Sequence, residues 1–517
     1  MKSCGTNQTQ VKPVRGCLLC HGCLRSLSLR RVHVAPLSRV FVSCHRFFWP
    51  ESFRGGCSFG TSELVLPTSG RDAVLTESSC TSQEFSVFHC APSGDAYVAV
   101  MENPDKSVAS TSTWLHQTEH RAWLATDAAR QLAFFEASLQ DAEGFAILDH
   151  TGAPISDDLQ ELHTTTRLVH SYALGALWGH AGADKIVDHG MHYLMSHHHD
   201  PDHGGFVWAL RGDDIVDDRK LAYGHMFVLL AGASAKIAGH PDADTLIANV
   251  TGVLDDHFWE EDAGLYADEF NRDWTPFSTY RGMNANMHGV EAHLAAYEAT
   301  GVETYLHRAG RILDFFTDKI AGAYNWRLPE HYHADWSVDP AYSGDPMFRP
   351  AGTTPGHSFE LGRLLLQHWD LSSRTDNTAP DRARNLIYTA LNDAWLPDGG
   401  LAYTMGIDGE VSIPSRFWWP VTEAIGALAA LIKLGPTAED EAWYRRLWTF
   451  ADHHFIDHER GGWFPAIDEA GHVTSSIFNG KPDIYHALQA NLFPLTPNLS
   501  RHAEDLPSLG REPTMPS

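Results

Sequence analysis

Phe348-Arg-Pro-Ala-Gly-Thr-Thr-Pro-Gly-His357-Ser-Phe-Glu360-Leu-Gly-Arg-Leu-Leu-Leu366 reads as a loop that feeds a helix. Pro350, Pro355 and Gly356 punctuate the entry, and Leu361, Leu364 and Leu365 then recur at helical spacing. His357 and Glu360 lie three apart, so both sit on one face of the first helical turn. An imidazole and a carboxylate at a helix mouth fit a general acid/base and its orienter. They equally fit an ordinary capping pair. What decides between them is whether the chain repeats the arrangement.

It does, in a regular frame. From Trp114 onward, apolar periodicity with Gly/Pro punctuation predicts twelve helices. The expected spans are 114–141, 164–180, 183–198, 219–238, 241–257, 282–300, 302–320, 355–370, 378–395, 417–434, 437–456 and 481–491. Every second helix mixes polar residues with small ones, with landmarks at Arg167, Tyr223, His288, His357, Glu423 and His486. Successive landmarks are 56, 65, 69, 66 and 63 residues apart, a period suited to a helical hairpin plus a connection. Gly204-Gly205, Gly399-Gly400 and Gly461-Gly462 each precede an aromatic or apolar stretch and then an acidic/Gly turn. These predict short β-hairpins between helices. Six helical hairpins with a recurring polar helix suggest a closed ring, the even helices inside. An open α-solenoid is the structural alternative.

His-x-x-Glu occurs at 288/291 and 357/360, and His486 is followed by Gln489. A carboxylate in a first helical turn complements the helix dipole, so one such pair means little. Three near the starts of inner helices favour a shared site. Trp418, Trp419, Phe348 and Tyr485 would give it flat apolar walls, with Arg, Asn and Glu side chains such as Asn284 and Glu423 for substrate hydroxyls. Sugars suit such walls. The recurrent titratable groups are imidazoles, whereas a glycosidase needs two working carboxylates. Imidazoles suit proton shuttling beside a carbonyl, through an enediol that either isomerises or epimerises the sugar.

Composition narrows the alternatives. The 517 residues are 43% hydrophobic and carry a formal charge of −27. The balance is +4 over residues 1–100 and −31 over the remainder. Such acidity argues against nucleic acid and anionic membranes as partners. All eight Cys precede residue 91, so the helical region has no disulfide, thiolate metal site or Cys nucleophile. Cys17-x-x-Cys20-x-x-Cys23 lacks an evident fourth ligand for zinc. H-E-x-x-H, phosphate-loop, dinucleotide and G-x-S-x-G motifs are absent, and no metal site is expected. Residues 1–110 are poorly patterned; Arg30-Arg31 only faintly suggests a twin-Arg signal. We read 1–100 as an over-extended gene start ahead of Met101, 111–500 as the catalytic domain and 501–517 as a tail.

Thr166-Arg-Leu-Val-His170, Tyr280-Arg-Gly-Met-Asn-Ala-Asn-Met-His288-Gly-Val-Glu-Ala292, the stretch around His357, Trp418-Trp-Pro-Val-Thr-Glu-Ala424 and Lys481-Pro-Asp-Ile-Tyr-His-Ala-Leu-Gln-Ala490 together resemble the N-acylglucosamine 2-epimerase superfamily, in particular its mannose isomerase type. The resemblance spans about residues 114–497 and implies an all-α (α/α)6 barrel. It implies His486 as the base that takes the C2 proton and His357 as the partner acid/base. His288 and Arg167 would hold the carbonyl and hydroxyl oxygens, and Glu360 would hold His357 or a sugar hydroxyl. Trp418, Trp419 and Phe348 would line the cleft. It implies no metal or other cofactor. The expected activity is aldose–ketose isomerisation of D-mannose and D-fructose or a close aldose such as lyxose. A 2-epimerase of the N-acylglucosamine or cellobiose type is the alternative, and an inverting glycoside hydrolase or a non-catalytic binding protein stands further off. The expected partner is a monosaccharide, with no nucleic acid and no membrane, in a cytoplasmic protein that can form a homo-oligomer.

Overall fold

All twelve expected helices are present in the computed structural model. The structure describes residues 113–140, 144–155 and 159–509, with three short strands nearer the N-terminus. The chain divides into two units, Met1–Lys106 and Ser107–Ser517. In the first, Ala96–Val100 pairs antiparallel with Ser28–Arg31 on one side and Ser86–Cys90 on the other. These strands are too short to show as sustained alternation in the sequence. The Cys17–Cys23 run lies outside the described residues, as does almost all of the stretch read as an over-extended gene start.

The second unit holds α1 (Thr118–Phe135), α2 (Leu162–Trp178), α3 (Ala183–Tyr193), α4 (Ala222–Ile237), α5 (Ala243–Val253), α6 (Met283–Thr300), α7 (Glu303–Leu313), α8 (Pro355–Leu371), α9 (Ala379–Ala394), α10 (Trp418–Leu434), α11 (Ala438–His454) and α12 (Tyr485–Leu495). The wider turns Leu194–His198, Leu254–Phe258 and Asp314–Ile320 extend α3, α5 and α7 to about the ends their periodicity predicts. The last inner helix is displaced. It starts at Tyr485 rather than 481, because Lys481 is taken into a β-bridge with Leu148. A further helix, α13 (His502–Leu509), lies in the segment read as a tail and packs on α2.

The inner helices close a ring. α2 packs on α4, α4 on α6, α6 on α8, α8 on α10, α10 on α12, and α12 returns to α2. That closure rules out the open solenoid. Each inner helix is backed by an outer one: α3 behind α2, α5 behind α4, α7 behind α6, α9 behind α8 and α11 behind α10. The N-terminal α1 supplies the sixth, against the C-terminal α12. Burial follows composition. α4 and α10 are apolar nearly all round and almost wholly buried, as helices enclosed on every side must be.

The long connections all run from an outer helix to the next inner one, so they gather at one end of the barrel. They form the expected hairpins, with Ala209–Arg211 on Asp214–Asp217 and Thr404–Met405 on Val411–Ile413. Both glycines of each Gly-Gly pair have positive φ, which only glycine adopts without strain. A cation just ahead of four inner helices ties each to the preceding connection. Lys220 Nζ is 2.9 Å from Asp200 Oδ2, Arg281 Nε is 3.1 Å from Glu260 Oε2, Arg416 NH2 is 2.5 Å from Asp398 Oδ1 and Lys481 Nζ is 2.7 Å from Asp457 Oδ2. Lys220 and Lys481 are fully buried. These clamps fix where the inner helices enter the barrel, and so where their first-turn side chains stand.

Candidate active site

Helical phase sorts the inner-helix residues into layers. The second residues are His163, Tyr223, Asn284, Gly356, Trp419 and His486, with His357 one further on. One turn deeper, the sixth residues include Arg167, Phe227, His288, Glu360 and Glu423. The ninth include His170, Glu291 and Arg363. Spacings of four and three keep each set on the face turned toward the barrel axis. His163, Tyr223, Asn284, His357 and Trp419 are half-buried, whereas every named residue of the next layer is buried. Solvent therefore reaches the first layer and stops, making a pocket with a polar floor.

Two imidazoles flank one indole at the pocket wall. The Trp419 ring lies 5.2 Å from that of His357 and 5.8 Å from that of His486, tilted 33° to each. Each imidazole donates through Nδ1 to a carboxylate, His357 to Glu330 Oε1 at 2.9 Å and His486 to Glu423 Oε1 at 2.8 Å. With Nδ1–H committed, Nε2 is left as the basic nitrogen of each ring. Gly356 makes room for this wall, since a Cβ there would come within 2.2 Å of the Trp419 ring.

Arg167 forms part of the floor. It donates to Asp483 Oδ2 at 2.7 Å and to the Tyr223 hydroxyl at 2.9 Å, and its guanidinium lies over the Phe227 and Tyr485 rings. His288 Nδ1 is 3.3 Å from Glu291 Oε2 and 3.6 Å from Glu360 Oε1. Burial holds the His288 imidazole down at about 4, against the opposing pull of Glu291, so it is neutral at neutral pH. Glu291 also accepts from the Tyr485 hydroxyl, and Gln489 links it to His170. Arg363 NH2 lies 3.1 Å from Glu423 Oε2 and 3.7 Å from Glu360 Oε1.

The three buried carboxyls do not share one charge state. Burial and the neighbouring Glu423 and Glu291 carboxylates push Glu360 well above the usual range, so it keeps its proton. Burial also works against Glu423, but Arg363 and the hydrogen bond from His486 hold it below its ordinary value. Glu360 is accordingly a neutral acid with two buried oxygens that accept no hydrogen bond within the protein.

Several sequence expectations are corrected. Glu360 does not orient His357. Its place three residues on drops it to the layer below, beside His288 and Arg363, and Glu330 takes the orienting position from the connection before α8. Glu423, expected on substrate hydroxyls, is spent on His486 and Arg363. Trp418 is 4% exposed and stands edge-on behind His486 instead of lining the pocket. Phe348 is 75% exposed on the connection ahead of α8 and has no ring partner among the described residues. Trp419 stands between His357 and His486, Arg167 and His288 lie one turn deeper, and Asn284 in the first layer has an unpartnered buried Oδ1.

Glu330, Asp483 and His163 are not legible as site residues in the sequence. Glu330 lies outside any helix, where periodicity gives no phase. Asp483 lies just ahead of the α12 start at Tyr485, where periodicity likewise gives no phase. His163 precedes Arg167 by one turn and was visible only once the helix start was known. Ligand atoms of His288, Glu291 and Glu360 come within 4.8 Å of one another, so this trio can hold a cation. Arg363 already occupies its border, 3.7 Å from Glu360, and supplies positive charge there.

Comparison with known proteins places the chain in one family. Residues 144–490 match the pattern of the N-acylglucosamine 2-epimerase (GlcNAc 2-epimerase) family. A D-mannose isomerase of Thermobifida fusca is 39% identical over 77% of this chain and 99% of its own length. Another, of Pseudomonas cannabina pv. alisalensis, is 36% identical over 75% of this chain and 95% of its own. The crystal structure of a D-mannose isomerase superposes with a TM-score of 0.67 at 32% identity, covering 72% of this chain and 97% of that one. The chain belongs to the N-acylglucosamine 2-epimerase family and is an (α/α)6 barrel.

Proposed function

We propose that this family member interconverts D-mannose and D-fructose by general acid/base catalysis. The observation that carries the reading is the pair of carboxylate-held imidazoles, His357 and His486, on either side of Trp419. The sequence similarity to D-mannose isomerases supports ketose formation over epimerisation.

The geometry supports the following course. The sugar stacks on Trp419, and His357 moves a proton between the ring oxygen and the anomeric hydroxyl to open the ring. His486 Nε2 takes the proton from C2, and the electrons pass to O1 to give the enediolate, the anion of the enediol. His288 and Arg167 hold the oxygens on which negative charge develops. The proton held by His486 is returned to C1 and the O2 proton passes to O1, which gives the ketose. All protons stay within substrate and imidazoles, so no oxidant or reductant is consumed. Glu330 and Glu423 are positioning residues, keeping the lone pair of each imidazole on Nε2.

Among the described residues no helix is long and apolar enough to cross a membrane. We place the protein in the cytoplasm, where fractionation of native cells tests the assignment. Incubating purified protein with D-mannose and assaying ketose tests the activity. Fructose formation is expected, and loss of roughly 10²–10⁴ in turnover for His486→Ala and His357→Ala. Either variant keeping near-normal activity would remove that histidine from the mechanism.

A further inference from the structure

The reaction above makes no use of His163. This residue stands one turn closer to the pocket mouth than Arg167, on the same face of α2. Its ring lies flat on Trp208, with centroids 5.1 Å apart and planes at 7°, and Tyr223 is 6.2 Å away. His163 and Trp208 are both half-buried. His163 Nδ1 is sealed from solvent and has no hydrogen-bond partner. The open edge of the ring therefore carries Nε2. Burial, and then the Arg167 charge, press the imidazole well below its ordinary range, so it is a neutral hydrogen-bonding group.

Position in the ring gives this pair a direction. α2 lies between α12 and α4, directly across the barrel from α8, which lies between α6 and α10. The His163–Trp208 pair thus belongs to the wall opposite His357. A hexose whose C1 and C2 lie between His357 and His486, on the α10 side, extends its other end toward α4 and its neighbour α2, where Tyr223, Trp208 and His163 stand together.

We infer that His163 and Trp208 form the subsite for the distal end of the sugar, the C6 hydroxymethyl group of a hexose. The flat Trp208–His163 face packs on its C–H groups, and His163 Nε2 exchanges a hydrogen bond with the C6 hydroxyl. The pair is then a determinant of six-carbon over five-carbon aldoses. This rests on the aldose reading given above.

D-Lyxose is D-mannose without that hydroxymethyl group, so the two sugars isolate the contact. His163→Phe keeps a ring on Trp208 and removes both nitrogens, and His163→Gln returns a polar atom near the place of Nε2. The expected result for His163→Phe is a loss of roughly five- to tenfold in kcat/KM on mannose, carried by KM, with lyxose within about twofold. His163→Gln should recover part of the mannose loss. Equal losses on both sugars, or none on mannose, would overturn the subsite. Calorimetric binding of D-mannitol and D-arabinitol reads the same contact without turnover. Wild type should prefer the six-carbon alditol and His163→Phe should not; an unchanged preference overturns the inference. Wild-type protein inert toward both aldoses would sink the isomerase reading, and the alditol preference would still judge the subsite.

Discussion

His357 donates through Nδ1 to Glu330, 2.9 Å away, and not to Glu360 on its own helix. The same relation recurs at His486, whose Nδ1 meets Glu423 from the neighbouring helix. Each imidazole is oriented from outside its own helix, so a single substitution can remove the orienter and leave the imidazole in place. Glu330→Gln and Glu423→Gln should each lower kcat by about 10²-fold or more, with KM within a few-fold. Steady-state kinetics on mannose checks this. A kcat close to wild type in either variant would mean that the carboxylate does not set the tautomer of its histidine.

Gly356 is the space in which the Trp419 ring sits. Gly356→Ala should push the indole away from both imidazoles while α8, which favours Ala over Gly, keeps its helix. The predicted outcome is a fall of at least tenfold in kcat/KM in a protein that still unfolds cooperatively. Unchanged activity would show that the Trp419 position does not matter to turnover.

Glu360 is held protonated by burial and by the Glu423 and Glu291 charges. Glu360→Gln then exchanges one neutral group for another, at a cost within about 1 kcal/mol in urea unfolding. If Glu360 were an ionised partner of Arg363, the same change would cost about 3 kcal/mol or more. The sign with pH follows. A raised carboxyl pKa contributes stability below the ordinary Glu value and loses it as pH rises through the folded value. Wild type should therefore lose ground to Glu360→Gln on going alkaline.

Six buried histidines set the acid limit. His120, His170, His198 and His288 are held down to about 4, and His225 and His293 to about 3, in each case chiefly by burial. Below about pH 6.5 the unfolded chain takes up protons that the folded one refuses. Stability is full above that pH and is lost as pH falls toward 4. Asp268 at about 8, Glu298 at about 7 and Glu360 act in the opposite sense but are outnumbered. Thermal unfolding from pH 7 to pH 4 should show a steadily falling Tm. A flat profile would contradict the neutral assignment of these imidazoles.

The ring was legible in the sequence because each inner helix carries polar residues in phase, and phase survives without coordinates. The uneven landmark spacing has a structural cause. The connections differ in length, so even the second residues of successive inner helices, His163, Tyr223, Asn284, Gly356, Trp419 and His486, are 60, 61, 72, 63 and 67 apart, and the landmarks add to this by mixing that layer with the next. Glu330 was illegible because it comes from a connection, where nothing in the local pattern says which side chain reaches the barrel axis. Trp418 and Trp419 are adjacent and alike in type. Only the helix start at Trp418 decides that the second faces the pocket and the first the core.

The central claim is that His486 removes the C2 proton and that the enediol collapses to a ketose. The direct measurement is proton and deuterium NMR of D-mannose incubated with the protein in deuterated water, beside His486→Ala. The account predicts D-fructose from wild type, with any deuterium gained confined to C1 of the ketose and C2 of the returned aldose, and none of these products from the variant. Deuterium at C2 of an aldose with no ketose formed, or fructose formed at the wild-type rate by His486→Ala, would contradict it.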